Sequence, residues 1–295
     1  MLTRCLSIAM LGISLILAIQ GVGQAQSGLA TLSVEKIHAK PTLQSAMQSA
    51  GKGSSLGRVI EAFDNQLIDR INASRKFKVV AVSDLSEILK AVNRVGQSTE
   101  VKQLNYGLVA TLDDFEDATE RMEFRNLRKT GLRRKVRLSI VAKIYNLGVD
   151  PPELYESANI QVFQKDDRMD ASELQTDAEM TDELLVISVR EAAQKISDRI
   201  VDVIFPAKVV AKTDQQVTIN RGDGTGLELG QVWDVFSPGK VIKDPDTGEV
   251  LGREEFWAGR VRIVAIQARL STAEILDGSS AITEGMVLRL PQNKK

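Results

Sequence analysis

The chain has 295 residues, 26% of them charged, yet its net charge is −1 and its pI is near 6.1. No global basic field argues for a nucleic-acid partner, and aromatic residues at 4% are too few for base-stacking surfaces. With one histidine, His38, and one cysteine, Cys5, any Ser-His-Asp or Cys-His site would have to be built on those two residues.

The amino terminus reads as an export signal. Arg4 supplies a short positive region, and residues 6–19 form an apolar run too short for a comfortable membrane span. Gly23 and Ala25 place small residues at −3 and −1, so residues 1–25 are expected to be removed as a signal peptide. Cys5 precedes the apolar run, whereas a lipoprotein cysteine follows it. The expected mature protein is therefore periplasmic, with outer-membrane association open, and is not a lipoprotein. It contains no cysteine for a disulfide. About 270 residues then remain, enough for two modest domains.

The N-terminal part alternates strand and helix patterns. A strand is expected over residues 31–38, then a polar loop over 40–55. Leu56, Val59, Ile60, Phe63, Leu67 and Ile71 recur at helical spacing, which predicts an amphipathic helix over 56–74. Residues 77–82 read as a short strand. Asp84 and Glu87 form a capping box that opens a helix carrying Leu85, Ile88, Leu89 and Val92. Strands follow over 106–112, 134–145 and 157–164, the middle one alternating Val136, Leu138, Ile140, Ala142 and Ile144 with polar residues. Thr181 caps a final helix with Leu185, Val189, Ala192, Ile196 and Ile200 on one face, ending before Pro206. This order implies a mixed-sheet α/β sandwich-type domain over residues 26–205.

The passage Ser74, Phe77, Val79, Val80 and Asp84, set between two helices, resembles the curli production assembly/transport component family. The same core occurs in outer-membrane activators of penicillin-binding proteins. The resemblance covers about residues 30–205 and implies an envelope protein of assembly or transport, not an enzyme. The lipoprotein cysteine of those families has no counterpart here.

Two charge runs lie inside this domain. The acids Asp113, Asp114, Glu116, Asp117, Glu120 and Glu123 read as a solvated loop or helix face. The basic stretch Arg125, Arg128, Lys129, Arg133, Arg134, Lys135 and Arg137 follows directly. It has two readings: pairing with the acids across neighbouring strands, or a docking surface for an anionic partner such as lipid headgroups or an acidic protein.

Residues 206–295 are rich in turn glycines and read as a small all-β, barrel-like module. A glycine-punctuated turn at 221–226 and Gly230 precede a strand over 231–237, and a second turn spans 244–248. Asn220, Gly222, Gly230, Asp244-Pro245, Thr247-Gly248-Glu249 and Leu251-Gly252 resemble the C-terminal domain of the flagellar assembly protein T family, which implies a β module in a cell-envelope protein.

The remaining motifs have mundane readings. Residues 222–226 lack the Lys-Ser/Thr of a phosphate loop. The Asp244-x-Asp246-x-Gly248 spacing lacks the later carboxylates of a calcium loop. The sequence thus predicts an α+β protein with no catalytic, metal or cofactor residues. Its expected work is assembly or secretion in the envelope, with envelope proteins, anionic lipid or another copy of itself as partners, and no nucleic acid. The alternative is a subunit of an outer-membrane secretion pore, with the 134–145 and 157–164 strands inserting as a hairpin.

Overall fold

The computed structural model describes residues 29–83, 104–124, 129–149, 151–168, 183–248 and 250–291. The expected signal peptide, the capping box at Asp84, and Thr181 lie outside these residues. The chain is α+β. Its first sheet contains β1 (Ala30–Glu35), β2 (His38–Ala39), β3 (Phe77–Val82), β4 (Tyr106–Phe124), β5 (Lys129–Asn146) and β6 (Glu153–Arg168). The strand order is β3-β1-β4-β5-β6, with β2 beside β4; β1 runs parallel to both neighbours, and β4, β5 and β6 are antiparallel.

Among the described residues, three helices accompany this sheet: α1 (Pro41–Ser49), α2 (Gly53–Ala73) and α3 (Glu183–Ile204). In α2, Leu56, Val59, Phe63, Leu67 and Ile71 form one buried stripe. In α3, Leu185, Val189, Ala192, Ala193, Ile196 and Ile200 do the same. Both stripes close over the apolar face of β4 and β5, where Leu108, Leu138, Ile140 and Ile144 are sealed from water. Burying each of these side chains contributes roughly 1.5–3 kcal/mol. Ser188, buried mid-helix, returns its hydroxyl to the Leu184 carbonyl at 2.7 Å, so it carries no unsatisfied group into the core.

Three sequence expectations change here. The expected loop at 40–55 contains α1 and the first residues of α2; Pro41 at the helix start fixes φ and has no N–H to leave unpaired. The first strand breaks at residues 36–37 into β1 and β2. The acidic run is neither loop nor helix face but the continuation of β4 as far as Phe124. Bonds to β5 continue through Glu116↔Arg137, Ala118↔Lys135 and Glu120↔Arg133.

The C-terminal module has its own core of Val209, Ile219, Trp233, Val235, Val261, Ile263 and Ile282, among others. Its strands are β7 (Val209–Thr213), β8 (Gln216–Ile219), β9 (Val232–Lys243), β10 (Val250–Ile266), β11 (Ser271–Asp277) and β12 (Val287–Arg289), in the order β12-β9-β10-β11-β8-β7. The edge strands approach each other through the isolated bridge Lys208↔Val287 and the bond from Val209 N–H to the Met286 carbonyl. The sheet is curled and barrel-like, joined at its edges by a few bonds rather than a full ladder.

Turn chemistry sets these hairpins. The Asp244 carboxylate accepts the N–H groups of Asp246 and Thr247 at 2.8 and 2.9 Å, which favours its charged form and lowers its pKa. Gly230 and Gly248 hold φ of +81° and +71°, and a Cβ at either would meet nothing within 4 Å. The cost of a side chain there is therefore backbone strain alone. Gly230→Val and Gly248→Val should each destabilise by about 1 kcal/mol or more. Thermal melts of the two variants check this; two unchanged midpoints would refute it.

Candidate functional site

Two regions gather charged side chains: the far end of the β4–β5–β6 sheet and the seam between the two hydrophobic cores. At the far end the strands outrun the core. The last fully apolar row is Phe115, Leu138 and Val162, all buried. Beyond it, the helix-facing side carries Asp117, Val136 and Gln164, then Thr119, Arg134 and Asp166. The outer side carries Glu116, Arg137 and Phe163, then Ala118, Lys135 and Lys165, then Glu120, Arg133 and Asp167.

The described basic side chains of this stretch are paired with acids. Arg134 makes two bonds to Asp117, at 2.8 and 2.6 Å, and is only 9% exposed. Arg133 grips Asp167 through two bonds of 2.5 and 2.7 Å, which lowers the Asp167 pKa. Lys135 reaches Glu120 at 2.6 Å, and Arg137 lies 3.2 and 3.1 Å from Asp114 and Glu116. The structure thus realises the pairing with the acidic run at Arg134, Lys135 and Arg137, while Arg133 pairs instead with Asp167 of β6. The backbone of Lys129 is in β5, and Arg125 and Arg128 lie outside the described residues. Behind the slab, Lys52, Asp117, Thr119 and Arg134 line an open cleft.

The seam was not visible as a site in the sequence. Its centre is Arg221, 2% exposed, held in the loop after β8. Its guanidinium contacts Asp202 of α3 at 2.5 Å and donates to the Phe205 carbonyl at 3.2 Å. The Nε of Arg221 is buried with no hydrogen-bond partner among the described residues. The glycines beside it are there for close approach. A Cβ on Gly222 would stand 2.4 Å from the Gln267 carbonyl oxygen. One on Gly224 would stand 2.4 Å from the Ala73 oxygen at the end of α2, and one on Gly226 would stand 2.7 Å from the Asp198 carboxyl carbon. The turn at 221–226 is therefore a docking loop for the ends of α2 and α3. A run of small residues around one buried arginine is the sequence signal that marks it.

The N-terminal side of the seam is equally specific. Ser74 closes α2 by bonding the Ile71 carbonyl at 2.6 Å, and Arg75 takes φ of +54°, where glycine is favoured. That conformation costs an arginine about 1 kcal/mol. From it, the Arg75 guanidinium donates to the Ala268 carbonyl at 2.8 Å, and Lys76 donates to the Asn220 carbonyl at 2.5 Å. The rings of Phe77 and Phe205 pack at a tilt of 51°, their centroids 5.3 Å apart. Burial lowers the Lys76 pKa, helped by the charges of Arg221 and Arg269. Burial also pushes the Asp198 carboxyl from 3.8 up to about 6, with Asp202 adding to the rise; the Gln194 amide, Arg221 and Arg70 oppose it.

Other sequence candidates fall elsewhere. His38 is exposed, 3.4 Å from the Thr111 hydroxyl. Asp244 and Asp246 form a turn. Among the described residues, no group of three His, Cys, Asp or Glu side chains is arranged to hold a metal ion. No described helix is long and apolar enough to cross a membrane. The pore alternative needs Val136, Leu138, Ile140, Ala142 and Ile144 to face lipid, but helices of the same chain bury them at 0–3% exposure.

No family model matches the chain, and no curated protein matches it. Solved structures with partial likeness include the hypothetical protein CT253 from Chlamydia trachomatis, 6% identical over 60% of this chain and 99% of that one, TM-score 0.37. A minor lipoprotein from Acinetobacter baumannii is 10% identical over 59% of this chain and 92% of that one, TM-score 0.32. Lipoprotein GNA1162 from Neisseria meningitidis is 9% identical over 57% and 99%, TM-score 0.24. Likeness at these scores carries no argument about function.

Two outcomes test the seam. Arg221→Ala removes the ion pair with Asp202 and the bond to the Phe205 carbonyl, and leaves a cavity. It should destabilise by about 2 kcal/mol or more and split one calorimetric transition into two as the modules uncouple; a single unshifted transition would refute this. The second outcome is pH-dependent. Between pH 3.8 and about 6, the folded protein holds a proton on Asp198 that the unfolded chain has released. Stability from this group is therefore greatest at low pH and falls as pH rises through that window. Asp198→Asn should melt higher than the parent at pH 7, with the gap closing towards pH 4. A gap that does not change with pH would contradict the burial argument.

Proposed function

We propose that the chain is an exported, non-enzymatic protein of the cell envelope that supports assembly or secretion machinery. The outer face of the β4–β5–β6 extension is its docking surface for a protein partner. The observation that supports this reading is that three strands run on beyond the core and carry a charge-patterned slab. Glu116, Arg137, Lys135, Glu120, Arg133 and Asp167 neutralise one another there, and Phe163 stands 56% exposed among them. A polar rim around an exposed aromatic is the anatomy of a protein-recognition surface. A face on which Arg133, Lys135 and Arg137 are already paired is a poor match for an anionic membrane, which recruits unpaired Lys and Arg. The edge strand β6 extends the same surface, because a strand edge is a template for pairing with another chain. The resemblances of residues 30–205 and 207–290 to curli-transport and flagellar-assembly proteins point to the same class of work.

The reading is tested in the source cells with a photo-crosslinking residue at position 163. An adduct with an envelope protein is expected from the exported fraction. Phe163→Glu should abolish that protein's co-purification with the full chain while moving the melting temperature by less than about 2 °C, because surface changes rarely exceed 0.5 kcal/mol. Recovery of the chain only from the cytosol, or co-purification unchanged in Phe163→Glu, would overturn it.

A further inference from the structure

Beside the Arg221 seam lies a cleft of about 270 Å³ lined by Leu29, Ala30, Ser74, Arg75, Lys76, Phe205 and Arg269. It lies just below the roughly 300 Å³ at which pockets for drug-sized ligands begin. Its wall holds three cations and no carboxylate. Arg75 and Lys76 come from the chain between α2 and β3, and Arg269 from the loop between β10 and β11, so both modules contribute. Arg75 and Lys76 are anchored on the carbonyls of Ala268 and Asn220. A carbonyl fixes a cation in place without cancelling its charge. Among the described residues, no acid lies within ion-pair distance of Arg75, Lys76 or Arg269, whereas the arginines of the strand extension are matched to acids. Burial, and after it the charges of Arg221 and Arg269, lower the Lys76 pKa.

We infer that this cleft is a binding site for a phosphate-class oxyanion, held between Arg75, Lys76 and Arg269 at the seam of the two modules. Guanidinium forks fit phosphate oxygens with two parallel bonds. A bound anion cancels the repulsion among the three cations, so binding and seam closure reinforce each other. Leu29, Ala30 and Phe205 form an apolar wall for the substituent of a phosphate ester. The strain at Arg75 fits the same role: left-handed backbone persists at a non-glycine residue where the surroundings fix it for a purpose. The site is independent of the docking face and stands whether or not that face binds a protein.

The shared chemistry has two sources, a soluble phosphate compound or a phospholipid headgroup. The full mature chain is therefore titrated with inorganic phosphate by calorimetry at low salt, and separately floated with phosphatidylglycerol vesicles against neutral phosphatidylcholine vesicles. Arg269→Ala is the informative variant: Arg269 is exposed and its side chain donates no hydrogen bond among the described residues, so the fold is expected to be intact. Arg262→Ala, which removes a paired arginine of the same module, is the control. Saturable binding of phosphate that weakens at least 10-fold in Arg269→Ala and not in Arg262→Ala supports the site with a soluble ligand. Flotation with anionic vesicles alone, lost in the same variant, supports it with a lipid headgroup. Absence of both, or binding that survives Arg269→Ala, overturns it. A melting temperature that rises with phosphate in the parent and stays flat in Arg269→Ala gives a second, independent reading.

Discussion

The architecture depends on one buried guanidinium. Arg221 carries a full charge into a place where 2% of its surface meets water. An isolated charge in such a place is untenable, because desolvation costs several kcal/mol. Its partners come from the other core: the Asp202 carboxylate and the Phe205 carbonyl at the end of α3. The C-terminal module is thus tied to the helices by the requirement that this charge be satisfied. Gly224 and Gly226 let the loop come close enough, since any side chain there would collide with Ala73 or Asp198. The seam then sets where Arg75, Lys76 and Arg269 stand, and so the cleft beside it.

Charge means opposite things at the two ends of the N-terminal domain. On the strand extension, exposed pairs such as Arg137 with Asp114 and Glu116 are worth less than about 1 kcal/mol each. Their work is to keep a slab beyond the core soluble and in register, since opposite charges directly across strands favour one alignment. Arg134 with Asp117 is more sheltered and bidentate, so it contributes more to that alignment. Beside the seam, Arg75 and Lys76 are held by carbonyl oxygens, which do not cancel their charge. The first arrangement is saturated within the chain; the second is left seeking an anion.

Much of the fold was legible because the periodic signals were strong. The five-residue stripe of α2, the face of α3 and the strand at residues 77–82 are where their apolar spacing places them. Gly230 and Gly248 hold the left-handed conformations that their turns required. The extent of β4 was hidden because its outer half alternates acids with Ala118, Thr119 and Met122 rather than with large apolar residues. Pairing of the basic stretch with the acidic run was one of the two readings open in the sequence, but the partner of Arg133 was hidden, because Asp167 is remote from it in sequence and belongs to neither run. The seam was the least legible part. A buried arginine looks the same in sequence as an exposed one, and a glycine needed for close approach looks the same as one needed for a turn.

The seam also contains features that oppose its own stability. Asp198 is buried at the cost of a raised pKa, Arg75 holds a strained backbone, and the charges of Arg221 and Arg269 oppose that of the half-buried Lys76. An interface shaped for cohesion alone would replace such groups with apolar ones, which often costs nothing or adds stability. Their joint presence at one seam means that Arg221 and the glycine loop hold the modules together against a standing electrostatic load. Proton uptake by Asp198 relieves one part of that load, and an anion between Arg75 and Arg269 relieves another. The grip between the two modules is therefore set by the chemistry of the surroundings as well as by the fold. That dependence resides in the seam and not in the cores, whose buried residues are almost all apolar.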